Sequence, residues 1–336
     1  MRAGRKKVKI IYLYLLLLVL AGVSLCLGRY SIDIKDIFSA VFAKGYAKEN
    51  LSVVHNIIYK VRLPRIMASV LLGSALSAAG ASYQGIFKNP MVSPSLLGVS
   101  SGSGVGAGVA ILLGLGAGAI QGMAFVFGLS AVAIVYVVSR LVSKGMDRTL
   151  TLILTGVVIS SAFTSILSLL KYIGDPYNDL PAITFWLLGS VADVKMDDLI
   201  YVAVPVVAGI IGLVLLRWKI NIMTLDEEEA ASLGIETSKL NGVIILLSTV
   251  ITASVVSISG MISWVGLVVP HIGRMIVGND YRRLMPAAIA LGGIFMLVLD
   301  SISRVVFPSE IPLGILTSLV GTPFFLYLMI KGKRSW

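Results

Sequence analysis

Ten apolar runs recur along the chain, near residues 8–28, 66–83, 95–113, 117–139, 149–170, 198–216, 240–258, 264–277, 284–303 and 312–330. A helix needs about 20 consecutive apolar residues to cross the hydrocarbon core of a bilayer, and most of these runs come close to that length. The chain has 336 residues, 57% of them hydrophobic and 13% charged. A soluble globular domain carries about 25% charged residues, so this much apolar surface calls for the bilayer as its solvent. The pattern predicts one all-α integral membrane domain over 1–336 with about ten transmembrane helices. The eighth run, between "SGMIS" and "GND", is short for a full crossing. It predicts a half-helix or a tilted segment packed inside protein. The first run exceeds the 7–15 residues of a signal-peptide core and predicts an uncleaved first span.

Lysine and arginine set the orientation of such a chain, because cytoplasmic loops carry them in excess. With the N-terminus inside, 18 of the 28 Lys and Arg fall in inner segments. Both termini are therefore expected in the cytoplasm. The net charge of +11 fits loops lying near anionic lipid rather than a nucleic-acid partner. Against this bias, Arg62 and Arg65 in "VRLPR" fall outside, at the entrance to the second span, and Arg304 falls outside at the end of the ninth. Pro64 fits an entry turn into the second span. One reading of these arginines is snorkelling to headgroups, but three outward arginines ask for more than that. Asp300, one turn before Arg304, is the one acid within the spans and is expected to pair with it at i, i+4.

An inner segment, 220–238, separates the sixth and seventh spans. Within it "TLDEEEAASLGI" reads as a short helix that Thr224 or Asp226 can cap, with glutamates at its positive end and Gly234 as its stop. Leu225, Ala230, Leu233 and Ile235 give it an apolar side. It is either an interfacial connector or a helix that docks into a groove of a cytoplasmic partner. In the fifth span Ser161, Thr164, Ser165 and Ser168 fall at i, i+3, i+4 and i+7, so they share one face. That face either makes interhelical hydrogen bonds or walls a hydrated path. The close spacing of glycines from Gly98 to Gly108 predicts close approach of neighbouring helices.

Several functions lack their chemistry here. No Gly-Lys-Ser/Thr ending exists, so the chain holds no Walker A site, and ATP hydrolysis would require another chain. One cysteine, Cys26, and two histidines, His55 and His271, give no thiolate or histidine metal site. Neither paired carboxylates nor a proton relay is found in the spans, which argues against a membrane-embedded enzyme and an ion-coupled carrier.

Set side by side, "RLPR" at Arg62–Arg65, "GASYQGIFKNPMVSPSLLGVSSGSGVG" from Gly80, "FWLLGS" from Phe185, "EEAASLGI" from Glu228, "GMISWVGLVVPHIGRMIVGNDYRRLMP" from Gly260 and "EIPLGILTSLVGTPFFLYLM" from Glu310 resemble the FecCD family. These are permease subunits of ABC importers for iron-siderophores, haem and cobalamin. The resemblance covers nearly the whole chain. It implies a type II ABC importer permease fold, a ten-helix subunit working with a second permease subunit, two cytoplasmic ATPase subunits, an extracytoplasmic binding protein and no cofactor. It implies that Thr224, Leu225, Glu228, Glu229, Ala230, Leu233 and Gly234 belong to the ATPase-coupling helix, and that Arg62, Arg65 and Arg304 meet acidic residues of the binding protein. It also favours the path reading of Ser161, Thr164, Ser165 and Ser168. The expected cargo is a metal-chelate, a ferric siderophore first, with haem, cobalamin or an oxyanion as alternatives. The loop "KYIGDPYNDLPAI" matches no family motif, and "DEEEAASLG" is more acidic than the family leads one to expect.

Overall fold

The computed structural model describes residues 2–28, 30, 32–33, 49–143, 148–306 and 309–332. Of the charges used for orientation, Arg29, Lys35, Lys44, Lys48, Lys144, Lys333 and Arg334 lie outside the described residues. Among the described residues the regular structure is entirely helical. The main helices are α1 Arg2–Cys26, α2 Leu63–Ile86, α3 Val99–Leu112, α4 Ala117–Val142, α5 Arg148–Ile173 and α6 Asp179–Leu188. They continue with α7 Met196–Met223, α8 Glu227–Ser232, α9 Thr237–Ser259, α10 Val265–Val277, α11 Tyr281–Val305 and α12 Leu313–Gly332. Among the described residues eight helical stretches are long and apolar enough to cross a membrane, and α3 and α10 are shorter apolar helices. Together they account for the ten runs. Of the loop that matched no motif, Lys171–Ile173 ends α5 and Asp179–Ile183 opens α6, a further short apolar helix.

The eighth run is the half-helix its length predicted. Residues 260–264 are irregular, and α10 follows with 13 residues. Non-helical backbone at membrane depth survives only inside protein. Here Ile262 is buried, and a Cβ on Gly260 would lie 2.1 Å from the Trp186 carbonyl oxygen.

Pro64 differs from expectation. No turn precedes α2; helix Glu49–Asn56 runs into a π-helical turn, Ile57–Arg62, and on into α2. Proline inside an α-helix loses one hydrogen bond and clashes with the carbonyl four residues back. The wider π turn sits just where that conflict would arise, so the chain stays helical through both arginines.

The centre of the fold is α2, buried along most of its length. Small residues let its neighbours in. A Cβ on Gly73 would sit 2.0 Å from the Gly292 carbonyl oxygen, and one on Gly80 would sit 1.9 Å from that of Gly266. Thus α11 and α10 cross α2 at backbone contact, where only glycine fits. The glycine run behaves similarly. A Cβ on Gly102 would meet the Phe127 carbonyl at 2.6 Å, and one on Gly106 would meet that of Met123 at 2.3 Å, which seats α3 against α4.

Candidate functional site

The three arginines gather at one end of α2, and all are buried: Arg62 is 3% exposed, Arg65 4% and Arg304 6%. The chain's own groups occupy all three outward arginines. Arg65 donates from Nε to Asp300 Oδ1 at 2.7 Å and from Nη1 to Glu310 Oε2 at 2.7 Å. Arg304 Nε lies 3.2 Å from Asp300 Oδ2, which is the i, i+4 pair read from the sequence. Arg62 donates to the carbonyls of Leu25 and Tyr30, and Arg304 to the Leu27 carbonyl and the Ser24 hydroxyl. The last carbonyls of a helix have no partner within it and carry partial negative charge. Two guanidinium groups therefore close the end of α1. Within this cluster Glu310 is the member most open to solvent, at 35% exposure. In the sequence Glu310 stands out only as part of a motif. Its partner is 245 residues away, beyond any local pattern.

Helix α8 lies at the other end of α2, about 36 Å away at 1.5 Å per residue. Asp226 occupies its N-cap position, but its carboxylate makes no capping bond. Thr224 instead closes α7, donating from its hydroxyl to the Asn221 carbonyl. Gly234 stops the helix with φ +76°, as expected of a left-handed C-terminal residue. Glu228, Glu229 and Leu233 face outward, while Ala230 is buried over a cavity of about 570 Å³ that Phe87, Lys88, Met223 and Leu225 also line. Lys88 Nζ comes within 3.8 Å of Asp226.

Above α8, Asn221 of α7 donates to Asp280 Oδ1 at 2.8 Å and accepts from the Tyr281 amide at 2.7 Å. Arg282 bonds the same carboxylate and holds its pKa at about 2, well below the usual carboxylate range.

Ser161, Thr164, Ser165 and Ser168 are all exposed on one face of α5. The Thr164, Ser165 and Ser168 hydroxyls donate to carbonyls four residues back, at 2.8, 3.1 and 3.0 Å. Their donors are thus satisfied within the helix, and their oxygens remain open as acceptors. A separate groove of about 640 Å³ lies between α6, the 260–264 segment and α12, with Leu187, Met261, Ser263, Ile315, Ser318 and Thr322 on its walls. Among the described residues no charged side chain lines it.

A polytopic helical bundle with a buried charge cluster at one end and a short exposed helix at the other is the architecture of an ABC transporter permease. A solved ABC transporter structure, assigned to the metal-chelate type and held in an inward-facing conformation, superposes with a TM-score of 0.86. It is 37% identical and covers 96% of this chain and 98% of its own. The model of the FecCD transport family matches residues 15–331, and the chain belongs to that family. The molybdate import permease of Haemophilus influenzae is 40% identical over 96% of this chain and 95% of its own length. The probable iron chelatin permease of Helicobacter pylori is 34% identical over 97% and 99%.

Proposed function

We propose that this chain is the permease of an ABC importer that moves a metal-chelate, a ferric siderophore first among them, into the cytoplasm. It works as a dimer with a second permease subunit in the cytoplasmic membrane, with both termini inside. Two ATPase subunits dock on α8 and its flanks through Thr224, Leu225, Glu228, Glu229, Leu233 and Gly234, while buried Ala230 seats the helix on the subunit. An extracytoplasmic binding protein docks over Arg62, Arg65 and Arg304. The observation that carries this reading is the placement of the two candidate docking sites at opposite ends of α2. ATP binding and hydrolysis in the partner shift α8 and repack the helices beside the path, so access alternates between the two sides. The chain itself performs no bond chemistry.

For the cargo, an uncharged groove with hydroxyls, together with the Ser161, Thr164, Ser165 and Ser168 face, suits a bulky chelate that carries its own ligand shell. A bare dianion would be better served by a guanidinium or ammonium group, and none lines the groove among the described residues. The molybdate relative supports an oxyanion as the second reading. Co-purification with ATPase subunits, followed by proteoliposome uptake of a ferric hydroxamate, haem, cobalamin and molybdate, tests both levels. Loss of ATPase association overturns the importer reading. Uptake of molybdate alone replaces the cargo.

A further inference from the structure

Helix α10 touches both ends of the proposed machine. At its cytoplasmic end, Arg274 donates to Gln84 Oε1 of α2. Gln84 in turn donates from Nε2 toward the Leu267 and Gly266 carbonyls, at 3.3 and 3.5 Å. Tyr281 is buried, and its amide is held by Asn221, six residues before the start of α8. Asn221 thus ties the end of α7 to the start of α11, the three-residue connection 278–280 joins α11 to α10, and Arg274 ties α10 to α2. Gln84 and Tyr281 are buried within this arrangement, where hydrogen bonds are costly to leave unmade.

The other end of α10 reaches the groove. Trp264, its N-cap residue, has φ +70°, a backbone conformation that residues with side chains rarely adopt. Its ring packs edge-on against Phe325 of α12 at 6.0 Å, and a Cβ on Gly321 would lie 2.6 Å from the Trp264 Cβ. Met261 and Ser263, just before it, line the groove. Between these ends α10 is wedged onto α2 at Gly80–Gly266. A helix of 13 residues, about 20 Å long and carrying Pro270 in its interior, thus joins the α8 side to the groove.

We propose that α10 is a strut that carries movement of α8 to the groove, with Asn221, Gln84 and Arg274 as positioning residues that clasp its cytoplasmic end. This rests on the importer reading. Spatial continuity alone does not establish coupling, so the test reads movement at the far end directly.

The full chain is purified with its ATPase subunits in lipid nanodiscs, after Cys26→Ser removes its single cysteine. Ser263→Cys is then labelled with a charged maleimide, nucleotide-free and after trapping with ATP and vanadate. The expected result is a labelling rate that changes on trapping in this background. In Arg274→Gln and in Gln84→Met that change falls by about fivefold or more, the lower end of ordinary coupling strengths. Vanadate-sensitive hydrolysis persists in both. Gln84→Glu keeps an acceptor for Arg274 and should restore the change, which a general packing defect would not allow. An undiminished change in both Arg274→Gln and Gln84→Met overturns the strut. A reference complex that hydrolyses no ATP overturns the importer reading itself, and the inference with it.

Discussion

Arg65 Nε donates to Asp300 Oδ1 across 2.7 Å, joining α2 to α11 through side chains that are 4% and 0% exposed. A buried ion pair contributes little net stability compared with apolar packing, but breaking one leaves a buried charge alone. Asp300 serves two arginines, Arg65 and Arg304. Asp300→Ala is therefore expected to cost about 3–5 kcal/mol. Arg65→Met should cost less, because Asp300 keeps Arg304 and Glu310 turns to solvent. Thermal unfolding in detergent reads both, and equal losses in the two variants would refute the shared role of Asp300.

The same cluster changes how docking is best tested. Reversing Arg62 and Arg65 would disturb the end of α1 as well as any partner contact. Glu310 is the better probe, since it occupies one side of Arg65 from a partly exposed position. Glu310→Gln should free positive charge at the surface and raise the affinity of the binding protein several-fold at low salt. The gain should shrink as ionic strength rises, because charges at a rim are screened. Titration of the binding protein against the nanodisc complex at two salt concentrations measures it. Unchanged affinity at both would mean that Arg65 takes no part in docking.

Local features are legible in the sequence. The ten runs, the short eighth one, the Gly234 stop and the Asp300–Arg304 pair all rest on residues within one helix turn or one span. What stays hidden depends on contacts across the chain. Arg65–Asp300 spans 235 residues and Asn221–Asp280 spans 59, so no periodicity announces either. The burial of the arginines escapes the sequence because sidedness counts charges without seeing what caps the end of α1. The role of Thr224 stays open there because two candidate caps stand two residues apart.

The glycine crossings give a prediction about packing. Gly73→Ala and Gly292→Ala would each push a methyl to about 2 Å from the opposing carbonyl oxygen, and α2 and α11 must separate to admit it. Overpacking of this kind typically costs about 1–3 kcal/mol, and contact with backbone rather than a flexible side chain puts these sites at the upper end. A Cβ on Gly122 of α4 would meet nothing within 4 Å, so Gly122→Ala should leave the melting temperature unchanged or slightly raised. Equal destabilisation at all three positions would show that helix flexibility, not close approach, is what these glycines provide.

Helix α8 offers a matched pair of substitutions on one short element. Leu233 is 59% exposed and Ala230 is 1% exposed, so the same aspartate has different consequences at each. Leu233→Asp places a charge on a surface that the subunit does not bury, and folding should be unaffected. If that surface enters an apolar groove of the ATPase subunit, the buried carboxylate loses its hydration there. ATPase stimulation by the binding protein should then fall about tenfold or more while the permease melts normally. Ala230→Asp instead forces a larger side chain into a position that is 1% exposed, and should lower thermal stability before any partner is added. Leu233→Asp with full stimulated activity would make α8 a connector between α7 and α9, and the docking surface would have to be sought elsewhere.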